Sequence, residues 1–285
     1  MIRTRVIVGS VLALAGVGLL VGDRYLAPWF PCLLACLAFV GVFATRELVS
    51  LFPAEFRPDP SLAAAGVLVV LAANWYYPVS NTSLGPVTWT SPWPPVLAAF
   101  VGVVLSGFCV EMRRYREPGA AVPRLALLVL AVAYLGLLGS CLAQLRWLRD
   151  PYPSSVILAL TIFVPKCGDI GAFFTGTFVG RRKMTPVLSP KKTWEGFAGG
   201  LLASVLAAVG IDAATGIFHH GAVEAIAFGV VVGVAGVLGD LAESLIKRDG
   251  QAKDAAKSIP GFGGLLDVVD SILFAAPVAY LWFSR

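Results

Sequence analysis

Apolar residues run along this chain in long blocks, broken by short polar or Gly/Pro-rich interruptions. One helical crossing of a bilayer core takes about 20 apolar residues. Nine blocks approach or reach that length: 6–22, 28–50, 62–78, 94–110, 123–143, 155–178, 196–215, 223–246 and 262–283. The pattern predicts an all-α, polytopic integral membrane protein with about nine transmembrane helices. The first block follows Arg3 and Arg5 as a secretory signal would, but more apolar blocks follow at once with no cleavage site into a soluble stretch. It reads as a first anchor. The connections leave no room for a separate soluble domain.

Composition narrows the class further. Of 285 residues, 58% are hydrophobic and 14% charged, against about a quarter charged in soluble domains. That shortfall excludes disorder and a basic nucleic-acid binder. The net charge is +5, and its placement is what matters. With the N-terminus in the cytoplasm, seventeen of the 22 Lys and Arg fall on one side of nine alternating spans. Four (Arg24, Arg146, Arg149, Arg285) fall on the other, and Lys166 lies within a span. Cytoplasmic loops carry such an excess, so the basic loops are expected at the cytoplasmic face of a bacterial inner membrane. The aromatic group Trp75, Tyr76, Tyr77, Trp89 and Trp93 reads as an interfacial belt on the opposite face. Cys32, Cys36, Cys109, Cys141 and Cys167 form no C-x-x-C pair and read as buried small hydrophobes.

The halves differ. Residues 1–150 are nearly pure Leu/Val/Ala spans and read as scaffold helices. Residues 151–285 hold the two longest basic loops, 179–195 and 247–261, and read as the catalytic helices of one integrated membrane domain. This half also holds the costly acids. Asp169, Asp240, Glu243, Asp267 and Asp270 lie in or beside apolar stretches, where a carboxylate costs about 2.5–3.5 kcal/mol. Asp240 and Glu243 are three apart, as are Asp267 and Asp270, so each pair shares a helix face. Like charges so placed need cations. Oxygen-only ligands favour Mg²⁺ or Mn²⁺ over zinc. A structural salt bridge is the competing reading, with Lys166 three residues from Asp169. Asp212 and Glu224 flank a loop and are expected to be solvated.

Ser189-Pro190-Lys191-Lys192 sets Ser then Pro before an apolar run, the N-cap and N1 arrangement of a helix. It would hold two lysines at a phosphate-accepting helix start. Lys247-Arg248, Lys253 and the Gly261–Gly264 turn offer cations beside a backbone that permits close approach. No Walker-type P-loop occurs. Carboxylates, cations and a Gly turn together suit phosphoryl or nucleotidyl transfer.

Ser244-Leu-Ile-Lys247-Arg248, then Lys253-Asp254, then Ile259 through Asp270 resembles the signature of the phosphatidate cytidylyltransferases, with its spacing kept. Asp240-Leu-Ala-Glu243, Ser189 through Gly196, and Asp169 through Phe173 match further family segments in order. The resemblance implies a polytopic helical enzyme, a homodimer, joining CTP to phosphatidate with Mg²⁺. A second, monovalent cation is a further candidate cofactor. It implies catalytic roles for Asp240, Asp267, Asp270, Lys247 and Arg248, with the three aspartates as metal ligands. Asp169, Ser189, Lys191, Lys192, Ser244, Lys253, Gly263 and Gly264 would bind substrate. The partners implied are CTP, phosphatidate and membrane lipid, with no nucleic acid. Three positions depart from the family: Phe262 replaces His, Val268 replaces Arg, and Ile170 replaces Thr or Ser. They keep two alternatives open, a paralogue that binds without turnover and a lipid kinase using CTP. A transporter relaying ions through its buried acids is a third alternative, although no paired half-repeats support it.

Overall fold

A computed structural model describes residues 2–76, 91–148, 153–252 and 263–284, with side chains from Gly9 onward except those of Leu12 and Ala13. Apolar blocks become helices: α1 Ile2–Arg24, α2 Pro31–Ser50, α3 Pro60–Ala73, α4 Trp93–Arg114, α5 Ala121–Trp147, α6 Ser154–Phe178, α7 Trp194–Thr215, α8 Ala222–Asp249 and α9 Leu266–Phe283. Among the described residues, seven are long and apolar enough to cross a membrane: α2 and α4 through α9. α3 has 14 residues, about 21 Å at 1.5 Å per residue, short of a hydrocarbon core of about 30 Å. Tyr77 and Trp89 of the expected aromatic belt lie outside the described residues. Trp75 is buried, and its indole N–H donates to Trp29 O at 2.6 Å. All five cysteines are free.

The chain forms two compact units. One comprises Met1–Gln144 with Gly250–Leu266, the other Leu145–Asp249 with Asp267–Arg285.

In the first unit, buried polar groups are tied down in pairs. Asp23 is buried and accepts from the N–H groups of Cys32 and Leu33, satisfying the open start of α2. Asn74 donates to Ser140 Oγ at 2.9 Å and accepts from Gln144 at 2.8 Å, all three being buried. A π-helical segment, Val132–Leu137, interrupts α5 next to this network, and Gly136 lies against Val70 of α3. Buried Glu47 accepts from Leu266 N–H at 2.9 Å.

In the second unit, α6 and α7 cross so closely that side chains must be absent. A Cβ on Gly171 would lie 2.5 Å from Ala203 Cβ and 2.9 Å from Gly199 O. Small residues permit this backbone approach in membranes. Asp212, expected in solvent, is buried because its carboxylate accepts from Phe218 N–H at 3.0 Å and closes the turn after α7. Glu224 is half-buried and accepts from His220 N–H and Trp282 Nε1.

The expected helix start at Ser189 is corrected. Residues Ser189–Thr193 form strand β2, antiparallel to β1 at Lys183–Thr185. The cap of α7 is Thr193, extended at φ −125° and ψ 155°, whose hydroxyl accepts from Gly196 N–H. Glu195 reinforces the hairpin by accepting from the N–H groups of Arg181 and Arg182. Pro190 suits a strand of a two-stranded ribbon, which leaves its missing N–H unneeded.

At the start of α3, Asp59 accepts from Ser61 and Leu62 N–H and pairs with Arg114 at 2.6 Å. Arg114 first, then the Leu62 N–H, hold its carboxyl below the usual carboxylate range. A lowered native pKa adds stability above the unfolded value of about 3.9, and that share is lost as pH falls through the native value. Asp59→Ala is therefore expected to cost about 1 kcal/mol near neutrality. In thermal unfolding the gap from the parent protein should narrow steadily in acid; a gap that widens there would contradict the assignment.

Candidate active site

Three helices of the second unit bring their charges together. α6 supplies Lys166 and Asp169, α8 supplies Asp240, Glu243 and Lys247, and α9 supplies Asp267 and Asp270. Glycine makes the convergence possible. A Cβ on Gly236 would meet Pro165 Cβ of α6 at 2.8 Å, and one on Gly239 would collide with the backbone carbonyl of Asp270. α8 can thus press its 240–243 turn against α9.

Ligand atoms of Asp240, Glu243 and Asp270 all lie within 4.8 Å of one another. Glu243 and Asp270 are each 1% exposed. Around them stand three lysines. Lys192 Nζ, from β2, lies 2.7 Å from Asp240, and Lys166 Nζ lies 3.0 Å from Asp169 and 3.6 Å from Asp270. Lys247 Nζ bridges Glu243 at 2.7 Å and Asp267 at 2.5 Å. Ser271 Oγ donates to Asp169 at 3.0 Å, and Ser271 N–H to Asp270 Oδ1 at 2.6 Å.

Charge and hydrogen bonding are both left incomplete. Five carboxylates face three ammonium groups, a surplus of two negative charges in their ionised forms. Glu243 Oε1 and Asp270 Oδ2 are buried and have no hydrogen-bond partner among the described residues. A buried carboxylate oxygen without a donor is strongly disfavoured. One hard divalent cation would meet both deficits, and its preferred donors are oxygens. The residues present fit such an ion.

The geometry sorts the sequence-derived candidates. Asp240 and Asp270 converge as expected, and Asp267, expected beside them, is engaged by Lys247. Glu243 takes the third place in the cluster. Its i, i+3 spacing from Asp240 was the signal for it. Ser271 carried none. The competing salt bridge between Lys166 and Asp169 does form, but it leaves Asp270 Oδ2 unsatisfied. Arg248 Nε reaches Leu188 O at 3.3 Å, tying α8 to the hairpin loop. Ser189 and Lys191 lie on β2, with Lys191 exposed, and Ser244 is half-buried on α8. Gly263, at φ +105°, and buried Gly264 belong to the first unit. Lys253 and Phe262 lie outside the described residues. Val268 is half-buried on α9, and Ile170 is exposed on α6.

Gly239→Ala should prise α8 from α9 and lower thermal stability in detergent by about 1–3 kcal/mol. Gly210→Ala on α7, where a Cβ meets nothing within 4 Å, should be neutral or slightly stabilising. Equal behaviour of the two variants would show that the close approach at Asp270 is unimportant.

Comparison with known proteins places these residues in context. The profile of the cytidylyltransferase family matches residues 3–284. A phosphatidate cytidylyltransferase of Haemophilus influenzae is 38% identical over 142 residues, 48% of this chain and 49% of the relative. The uncharacterized protein YnbB of Escherichia coli K12 is 40% identical over 129 residues, 45% of this chain and 41% of the relative. Against these two the matched stretch spans about half the relative's length or less. A phosphatidate cytidylyltransferase of Staphylococcus epidermidis is 27% identical over 244 residues, 84% of this chain and 85% of the relative.

Proposed function

The chain belongs to the cytidylyltransferase family, and from that premise we propose that it transfers the cytidylyl group of CTP to phosphatidate. The products are CDP-diacylglycerol and pyrophosphate. The single observation that carries this reading is the buried Asp240–Glu243–Asp270 cluster with its surplus negative charge and orphaned oxygens. An enzyme acting on a triphosphate needs charge neutralisation and in-line placement more than covalent chemistry from its side chains.

In the reaction, an oxygen of the phosphatidate phosphate forms a bond to the α-phosphorus of CTP. The bond from that phosphorus to the oxygen bridging to the β-phosphate breaks, and pyrophosphate leaves with the electron pair. Asp240, Glu243 and Asp270 would hold Mg²⁺, which when bound supplies Lewis-acid neutralisation of phosphate charge. Lys192 and Lys247, now resting on carboxylates, are placed to exchange those partners for phosphate oxygens. Lys191 and Arg248 add positive charge at the hairpin, and Lys166 with Ser271 holds Asp169 and Asp270 in position. Asp267 acts through Lys247, which it shares with Glu243. Ser189, Ser244, Lys253, Gly263 and Gly264 retain their substrate-binding assignment from the family signature. We further propose a homodimer in the bacterial inner membrane, with the N-terminus and basic loops cytoplasmic, residues 1–150 serving as scaffold and 151–285 as the catalytic part.

A second reading rests on Val268, which stands where the signature carries arginine. It describes a protein that binds substrates without turnover. Loss of one transition-state charge partner costs about a hundredfold or more.

CTP labelled separately at the α- and γ-phosphorus, supplied with phosphatidate and Mg²⁺, distinguishes the readings. Nucleotidyl transfer puts the α-label in lipid and the γ-label in pyrophosphate, and Asp240→Asn should reduce turnover about a hundredfold. A γ-label in lipid would establish a kinase. Turnover seen only after Phe262→His with Val268→Arg would establish the inactive form.

The ligand set has its own test in Mn²⁺ binding followed by electron paramagnetic resonance. Asp270→Asn should weaken binding tenfold or more, on the order of the losses seen even for outer-shell partners. Asp267→Asn, which removes a partner of Lys247, should weaken it less. The reverse order would restore Asp267 to the ligand set in place of Glu243.

A further inference from the structure

Four arginines of the first unit are of two kinds. Arg114 is paired with Asp59 at 2.6 Å and Arg124 with Glu111 at 3.2 Å. Arg46 and Arg57 have no carboxylate partner among the described residues. Both line one crevice of about 100 Å³, together with Thr45, Val49, Ser50 and Pro60. Arg57 is held rigidly across the end of α2, its Nε donating to Phe52 O at 2.7 Å and its Nη2 to Ser50 O at 2.9 Å. Its Nη1 edge donates to no protein atom among the described residues. Arg46 is exposed, its side chain makes no hydrogen bond among the described residues, and it stands 6.0 Å from the Phe43 ring centroid.

The crevice surface is mostly apolar, and its only charged lining residues among those described are the guanidinium-bearing Arg46 and Arg57. Thr45 Oγ1 and Ser50 Oγ already donate to Gly41 O and Glu47 O. Two guanidiniums without carboxylates suit a phosphate, which they grip by paired N–H···O bonds. A volume of about 100 Å³ is well below the roughly 300 Å³ at which drug-sized ligands begin, so it admits a headgroup fragment. What joins that fragment is written on the helix below. Phe39, Phe43 and Arg46 follow at i, i+4 and i+7, one face of α2. Phe39 and Phe43 are exposed, with ring centroids 4.5 Å apart. An apolar track thus runs along a membrane-spanning helix and ends at the unpaired charges.

We propose that this crevice binds the phosphate of an anionic phospholipid whose acyl chain lies along the Phe39–Phe43 stripe. The site uses none of the carboxylates, lysines or serines assigned to nucleotidyl transfer. A basic residue near an anionic leaflet strengthens attraction by about fivefold, so each arginine should contribute measurably.

Native mass spectrometry of the full-length protein, with phosphatidylglycerol as the probe and phosphatidylcholine as control, reads the occupancy directly. Arg46→Gln, which removes no side-chain hydrogen bond among the described residues, should lower phosphatidylglycerol retention about fivefold and leave phosphatidylcholine unchanged. Phe43→Ser keeps both guanidiniums and tests the acyl track separately. It should also lower phosphatidylglycerol retention, and inorganic phosphate should fail to displace the lipid from the parent protein. Unchanged retention in both variants overturns the proposal. So does displacement by inorganic phosphate with no effect of Phe43→Ser, which would assign the crevice to a free phosphate ion.

Discussion

Burying carboxylates among apolar helices is the constraint on which the second unit depends. Five of them, from three helices, share three lysines. Each acid alone would cost about 2.5–3.5 kcal/mol in a membrane, so the helices that carry them must meet one another and bring cations along. Lys166, paired with Asp169 on its own helix, joins α6 to α9 through Asp270, and Lys247, paired with Glu243 on its own helix, joins α8 to α9 through Asp267. Lys192 brings the hairpin to α8 through Asp240. The electrostatic requirement and the packing of the helices are one arrangement, and the remaining negative charge is what a divalent cation would neutralise.

Close approach is the second half of that arrangement. Charges at this separation interact strongly only where water is excluded, and exclusion requires backbones near contact. Gly236 and Gly239 supply it on α8, as Gly171 and Gly200 do where α6 crosses α7. The first unit meets its buried polar groups differently, with short hydrogen-bonded sets: Asp23 on the start of α2, Asn74 with Ser140 and Gln144, Glu47 with Leu266. Those sets are closed by protein groups. The carboxylate cluster differs, because Glu243 Oε1 and Asp270 Oδ2 have no hydrogen-bond partner among the described residues.

Two departures from the family signature, Val268 and Ile170, adjoin Asp267 and Asp169 along the chain and leave the acids in place. Val268 and Ile170 remove polar groups from positions one turn or less from Asp267, Asp270 and Asp169. The carboxylates of the signature are kept.

Much was legible in order along the chain. Long apolar blocks specify helices because a lipid-embedded backbone has to satisfy its own hydrogen bonds. The i, i+3 spacing placed Asp240 with Glu243 and Asp267 with Asp270 on single faces. The misreadings share one cause. Ser189-Pro190 carried the local marks of a helix start, but pairing of Ser189–Thr193 with Lys183–Thr185 delayed the cap to Thr193. Asp212 was judged by its loop, though a turn six residues on claimed its carboxylate. Spacing on α9 does not say how Asp267 and Asp270 divide among the groups of α8, because that depends on the rotation and depth at which two helices meet. Sequence periodicity fixes which face of a helix bears a charge; only packing, through Gly239 against Asp270 and Lys247 between Glu243 and Asp267, decides which charges become neighbours.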